Sequence, residues 1–160
     1  MKEASRDPRA CILNRRSLWD LAWCGALIGG FSIANCLLFY QRSGVDPFTG
    51  SVPASVLAPA MSISYATIVV CKLVSIIQRR SIHGFFTRYQ FSNHTFWLAI
   101  AVAVVIMGVN LYVPFVAHFF GTGPLVPEDW GFIVAAATIF LAIRESAQVL
   151  SRQRAWANIR

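Results

Sequence analysis

The sequence contains four apolar runs, each about as long as the roughly 20 residues that a helix needs to cross a bilayer. The predicted spans are residues 18–40, 56–77, 96–119 and 130–150. The composition also indicates a membrane protein. Hydrophobic residues make up 56% of the chain and charged residues 13%, whereas soluble domains average about 25% charged residues. The high hydrophobic fraction excludes a disordered chain. The low charged fraction is too small to cover the surface of a soluble domain. We therefore expect an all-α membrane protein with four transmembrane helices in a bundle.

The basic residues predict the orientation of these spans. Twelve of the 14 Lys and Arg residues lie before the first span, between the second and third spans, or after residue 143. The first and third connectors hold only Arg42. Because Lys and Arg accumulate in cytoplasmic loops, we predict that both termini are cytoplasmic. Residues 1–17 and 151–160 are then cytoplasmic segments on either side of a membrane domain at 18–150.

The sequence lacks the motifs of covalent and phosphate chemistry. It has no Gly-rich phosphate loop, no G-x-S-x-G and no H-E-x-x-H. The three histidines are scattered and the four cysteines form no C-x-x-C pair, so we expect no metal site, no cofactor and no disulfide framework. The adjacent Glu128 and Asp129 precede Trp130, and we interpret them as compensating a helix dipole rather than as a catalytic pair. The sequence predicts no catalytic residue.

The second span carries a regularly spaced set of polar residues. They follow one another at steps of 3, 4, 4 and 3, which places them on one narrow face of a helix: Ser64, Thr67, Cys71, Ser75 and Gln78. Polar side chains in hydrocarbon seek partners on neighbouring helices. Two hypotheses follow, namely that this face packs against other helices or that it belongs to an ion pathway.

Lys72 flanks this polar face, and its charge is costly inside a membrane. Its long side chain either snorkels to the interface or is buried as a functional ammonium group. Asp20 lies at a similar depth on the first span. A charge pair between Lys72 and Asp20 is therefore a further hypothesis.

Small residues and prolines predict features of packing. Gly25 and Gly29 form a G-x-x-x-G pattern, which permits close approach of helices. Pro59 lies near the start of the second span, where a missing N–H is tolerated. Pro114 is expected to kink or end the third span.

Several short motifs follow one another through the second half of the chain. They are F-S-N-H-T-F-W-L at 91–98, N-L-Y-V-P-F-V at 110–116, F-G-T-G-P-L at 120–125, P-E-D-W at 127–130 and L-A-I-R-E at 141–145. Their order and spacing resemble the C-terminal membrane region of type II P-type cation-transporting ATPases. Upstream, S-R-D-P-R at 5–9 and Q-R-R-S at 78–81 are similar to the segments that precede helix seven and end helix eight of that family. The resemblance implies that the four spans correspond to membrane helices seven to ten.

The resemblance implies a support module that braces the ion-transport helices of a fragmentary or split pump. The family's D-K-T-G-T, its T-G-E-S, its nucleotide-binding domain and its helices four to six have no counterpart in this sequence. We therefore expect no catalysis by this chain alone, which is at most part of a P-type ATPase. The position that resembles a helix-eight cation ligand falls on Lys72, whose ammonium group has donors and no acceptor.

Two other interpretations stay open. One is a stand-alone small membrane protein that regulates or assembles with a transporter, and the other is a degenerate gene product. The expected partners are the lipid bilayer and the remaining helices or chain of a P-type ATPase, with no nucleic acid. The expected location is multi-pass in the plasma membrane.

Overall fold

The computed structural model describes residues 15–48, 52–80 and 94–157. Within these ranges the chain is helical and has no strand. The helices are α1 (Arg15–Ser43), α2 (Ala54–Arg80), α3 (His94–Tyr112), α4 (Pro114–Phe120) and α5 (Pro127–Ala157). Four of them, α1, α2, α3 and α5, are long and apolar enough to cross a membrane. The expected all-α class with four membrane-spanning helices is confirmed.

Helix α2 is the centre of the bundle, since it contacts α1, α3 and α5, and α1 also contacts α5. We call the end of the bundle that holds residues 44–48 and 121–126 the upper end, and the opposite end the lower end. Two apolar clusters fill the interior. The upper cluster is Ile63, Ala66, Met107, Leu111, Leu125 and Ile133, and the lower cluster is Cys24, Ile28, Cys71, Ala137 and Phe140.

Proline and glycine divide the upper part of the third apolar run. The predicted span at 96–119 is interrupted because α3 ends at Tyr112, Val113 is extended, and Pro114 starts α4. Proline has no N–H and clashes with the preceding turn, so it is best tolerated in the first turn of a helix. The expected end of the helix at Pro114 is confirmed. Helix α4 ends at Gly121, whose φ of 66° is the left-handed conformation typical of a helix C-terminus.

Two packing expectations differ from the structure. A Cβ added to Gly25 or Gly29 would meet no atom within 4 Å, so the G-x-x-x-G pattern does not mark a close helix contact in this bundle. Helix α2 begins at Ala54, before the predicted start of the second span, which places Pro59 inside the helix. The missing Pro59 N–H therefore falls in the second turn rather than at the helix start.

Helix α3 is the least buried of the spanning helices. Only 11% of the residues in its span are buried, against 39% in α2. Its buried residues are Met107 and Leu111, both near its upper end. Most of the α3 surface is consequently available to lipid or to other helices.

Candidate functional site

Buried polar side chains form the candidate functional site. The described part of the chain buries eight of them, and all lie on α1, α2 or α5. They are Ser32, Asn35, Ser62, Thr67, Ser75, Gln78, Asp129 and Arg144. We call this set the polar seam. It runs along the junction of three helices from the upper end of the bundle to the lower end.

The middle of the seam ties α1 to α2. Asn35 Nδ2 donates to Thr67 Oγ1 at 3.0 Å, and Thr67 Oγ1 donates to the main-chain oxygen of Ile63 at 2.7 Å. Ser32 Oγ donates to the main-chain oxygen of Ser64 at 3.2 Å. In an apolar environment each of these groups would be costly if it had no partner. The pairing therefore holds α1 and α2 in one relative position.

The lower end of the seam is a charge cluster. Arg144 of α5 is 4% exposed. Its Nη1 donates to Asp20 Oδ1 of α1 at 2.6 Å, and its Nε donates to Gln78 Oε1 of α2 at 3.4 Å. Asp20 Oδ2 also lies 3.2 Å from Arg79 Nη2. This cluster connects three helices through one buried guanidinium group.

The upper end of the seam is a second charge cluster. Arg42 at the end of α1 contacts Glu128 at 2.5 Å and Asp129 at 3.2 Å. Its guanidinium carbon lies 4.9 Å from the centre of the Phe132 ring, within cation–π range. The acidic pair does lie in the first turn of α5, where it suits the helix dipole. In addition, Asp129 Oδ2 accepts the N–H of Val126 at 3.3 Å.

Ser62 attaches the connection 121–126 to α2. Its Oγ accepts the N–H of Gly123 at 2.7 Å and lies 2.7 Å from the main-chain oxygen of Gly123. A Cβ added to Gly123 would lie 3.5 Å from Ala58 Cβ and from the nitrogen of Pro59. The loop and the helix therefore meet main chain to main chain near the proline.

The structure places most of the predicted α2 face in the bundle interior. Thr67, Cys71, Ser75 and Gln78 are buried, and Ser64 is partly buried. Ser75 Oγ lies 3.3 Å from Cys24 Sγ of α1. Cys71 belongs to the lower apolar cluster. These residues meet side chains of α1 and α5.

The hypothesis of a pair between Lys72 and Asp20 needs correction. Lys72 is exposed and forms no salt bridge in the part of the chain that the structure describes. Asp20 instead pairs with Arg144 and Arg79. Because Lys72 follows the buried Cys71 by one residue, it is turned about 100° away from the seam.

Sequence reasoning missed Asn35, Arg42 and Arg144 as members of the site. In the sequence, Arg144 is only one of the basic residues that predict the orientation of the spans. A usable signal existed for Arg42, because the lone basic residue of the first connector faces the only two acids of the third connector. Asn35 was recognisable as an amide within an apolar run.

The side chains of the seam bond mainly to groups of neighbouring helices. Within the described ranges no group of three or more His, Cys, Asp or Glu residues is placed to hold a metal ion. Gln78 Nε2 is the one buried side-chain nitrogen or oxygen atom there without a hydrogen-bond partner. Every other buried side-chain nitrogen or oxygen atom in these ranges has at least one hydrogen-bond partner.

Comparison with known proteins agrees with this architecture. Residues 1–150 match the family model described as cation transporting ATPase, C-terminus. The chain belongs to this family. A calcium-transporting ATPase of Bacillus subtilis (strain 168) is 27% identical to it over 139 residues, which is 87% of this chain and 14% of that relative. The resemblance found in the sequence is confirmed, and the chain spans 14% of the length of that ATPase.

Proposed function

We propose that this chain is a membrane-embedded support module that braces the ion-transport helices of a fragmentary or split P-type pump. Membership of the C-terminal domain family of cation-transporting ATPases supports the setting. The observation that carries the bracing role is the polar seam, in which Asn35, Thr67, Gln78 and Arg144 bond across three helices. Hydrogen bonds between helices in hydrocarbon favour one packing arrangement over its alternatives.

The α2 face acts, in this proposal, as a packing face rather than an ion pathway. A cation pathway needs oxygen ligands that are free to replace water around the ion. The Thr67 hydroxyl already donates to Ile63 and accepts from Asn35. The Lys72 ammonium group has no acceptor with which to coordinate a cation, and it is exposed outside the seam.

Catalysis belongs, in this proposal, to other parts of a pump. The seam offers no nucleophile paired with a base, and its buried carboxylate, Asp129, is bound by Arg42. We expect purified chain to hydrolyse no ATP by itself. The exposed surface of α3 supports contact with lipid and with the remaining pump helices. The basic residues support cytoplasmic termini, and we place the module in the plasma membrane.

Co-purification from native membranes tests this proposal. The chain carries an affinity tag at Arg160, is extracted in mild detergent, and its bound proteins are identified by mass spectrometry. We expect a partner with the D-K-T-G-T phosphorylation motif and no C-terminal membrane helices of its own, together with ATPase activity that the chain alone lacks. Asn35→Leu should lower the recovery of this partner, while the exposed Lys72→Gln should leave it unchanged.

Two outcomes would count against bracing. A complete transporter that already has its own helices seven to ten would favour the stand-alone protein that regulates or assembles with a transporter. Recovery of a pump partner that is equal for Asn35→Leu, Lys72→Gln and the unmodified chain would show that the seam does not serve the contact.

A further inference from the structure

A cavity of about 190 Å³ lies near the upper end of the bundle, where α2, α3 and α4 meet. Its lining residues are Met61, Tyr65, Asn110, Phe120 and Thr122. This volume is comparable with the engineered cavity of about 150 Å³ that binds benzene. The cavity is therefore large enough for a group the size of one ring, and too large to be explained by a single water molecule.

Two side chains give this cavity a polar corner. Asn110 Nδ2 donates to the Tyr65 hydroxyl oxygen at 2.8 Å. Thr122 Oγ1 donates to the main-chain oxygen of Asn110 at 2.7 Å, which fixes the position of the asparagine. The phenol proton of Tyr65 and the Asn110 Oδ1 atom have no hydrogen-bond partner in the described part of the chain. Two neighbouring lining residues thus offer one donor and one acceptor.

The position of the cavity indicates what can reach it. Asn110 lies two residues before the end of α3 at Tyr112, whose hydroxyl oxygen accepts Trp130 Nε1 at 2.9 Å. Tyr and Trp side chains of this kind are typical of the interface between lipid headgroups and hydrocarbon. Met61 and Phe120 are 49% and 58% exposed, so the cavity is open beside them. An amphiphile in the bilayer can enter from this side.

We propose that this cavity binds the hydroxyl-bearing head of a membrane amphiphile. The ligand hydroxyl donates to Asn110 Oδ1 and accepts the Tyr65 proton, and its adjoining carbons contact Met61 and Phe120. A hydroxyl is the smallest group that both donates and accepts. An anionic headgroup is disfavoured for two reasons. The Asn110 oxygen would repel it, and no basic side chain is among the lining residues. This site does not depend on the role proposed for the polar seam.

Photolabelling of the full chain in phosphatidylcholine vesicles tests the site. The probe is a benzyl alcohol with a diazirine group, and its control is the matching toluene derivative without the hydroxyl. We expect the alcohol to label Met61, Tyr65 or Phe120 saturably and the toluene derivative to label exposed apolar positions without saturation. 1-Oleoylglycerol should compete with the alcohol, whereas methyl oleate, which has no hydroxyl, should not.

Variants connect the labelling to the two polar groups. Tyr65→Phe and Asn110→Leu each remove one hydrogen bond to the ligand and should lower the affinity for the alcohol about five- to tenfold. Phe119→Leu, a change at a residue that is 80% exposed and outside the cavity, should have no effect. Unchanged labelling of α1 and α5 by the toluene derivative checks that the variants fold.

The proposal is overturned by any of three results. These are equal labelling by the alcohol and the toluene derivative, unaltered affinity in both polar variants, or a failure of 1-oleoylglycerol to compete. The last result would leave a cavity that admits small alcohols but not membrane amphiphiles.

Discussion

Asp20 provides the negative charge that pairs with the buried Arg144. Replacement of Asp20 is therefore the sharpest test of the charge cluster at the lower end of the seam. Arg144 Nη1 lies 2.6 Å from Asp20 Oδ1, and the Arg144 side chain is 5% exposed. Removal of one partner from a fully buried ion pair costs about 3–5 kcal/mol. Because the Asp20 side chain is 47% exposed, water screens part of this charge. We therefore expect Asp20→Asn to lower the free energy of unfolding by about 2 kcal/mol.

A double-mutant cycle isolates the interaction. In an Arg144→Met background the buried positive charge is gone, and only the partly exposed contact with Arg79 remains. The same Asp20→Asn change should then cost about 0–1 kcal/mol. The assay is reversible unfolding of the chain in mixed micelles by sodium dodecyl sulfate, followed by tryptophan fluorescence. Asp46→Asn, at an exposed position of the first connector, is the matched control.

Two results would refute this reasoning. If Asp20→Asn and Asp46→Asn have equal effects, then Asp20 does not stabilise Arg144. If Asp20→Asn costs the same in both backgrounds, its effect does not pass through the Arg144 pair.

Four further substitutions test other contacts in the same unfolding assay. Asn35→Leu leaves the buried Thr67 hydroxyl without its donor and should cost about 0.6–1.7 kcal/mol; no loss would show that this bond does not hold α1 to α2. Gly121→Ala, at a φ of 66°, should cost about 1 kcal/mol, whereas Gly123→Ala should be nearly neutral because its Cβ meets atoms at an ordinary 3.5 Å; the reverse order would contradict the loop geometry. Arg42→Gln should cost about 1 kcal/mol at low salt and less at high salt, and a loss independent of salt would argue against an electrostatic role.

Long apolar runs made the fold class readable from the sequence. Four runs of membrane-spanning length leave few alternatives to a helical bundle, because backbone groups in lipid must be bonded within the chain. Pro114 also predicted where α3 ends, because proline lacks an N–H and its ring clashes with the preceding turn. The buried face of α2 followed from the 3- and 4-residue spacing that starts at Ser64.

The partners within the site depended on how the helices rotate and pack, which a single sequence does not specify. Asp20, Lys72 and Arg144 all lie towards the lower end of the bundle, so depth alone allowed either cation to pair with the carboxylate. The rotation of the helices determines the partner, because Lys72 is exposed whereas Arg144 is buried and contacts Asp20. The hydrogen bond between Asn35 and Thr67 depends on the register in which α1 and α2 pair in antiparallel orientation. Periodicity within one helix contains no information on that register.

The accessibility of Cys71 tests most directly whether the α2 face packs helices or lines an aqueous path. Cys71 is fully buried on that face, and a chain with Cys11, Cys24 and Cys36 changed to serine leaves it as the single thiol. A charged methanethiosulfonate reagent is applied to either side of membranes that contain the assembled protein. The packing role predicts no labelling until detergent unfolds the bundle, whereas rapid labelling from either side in the folded protein would contradict it.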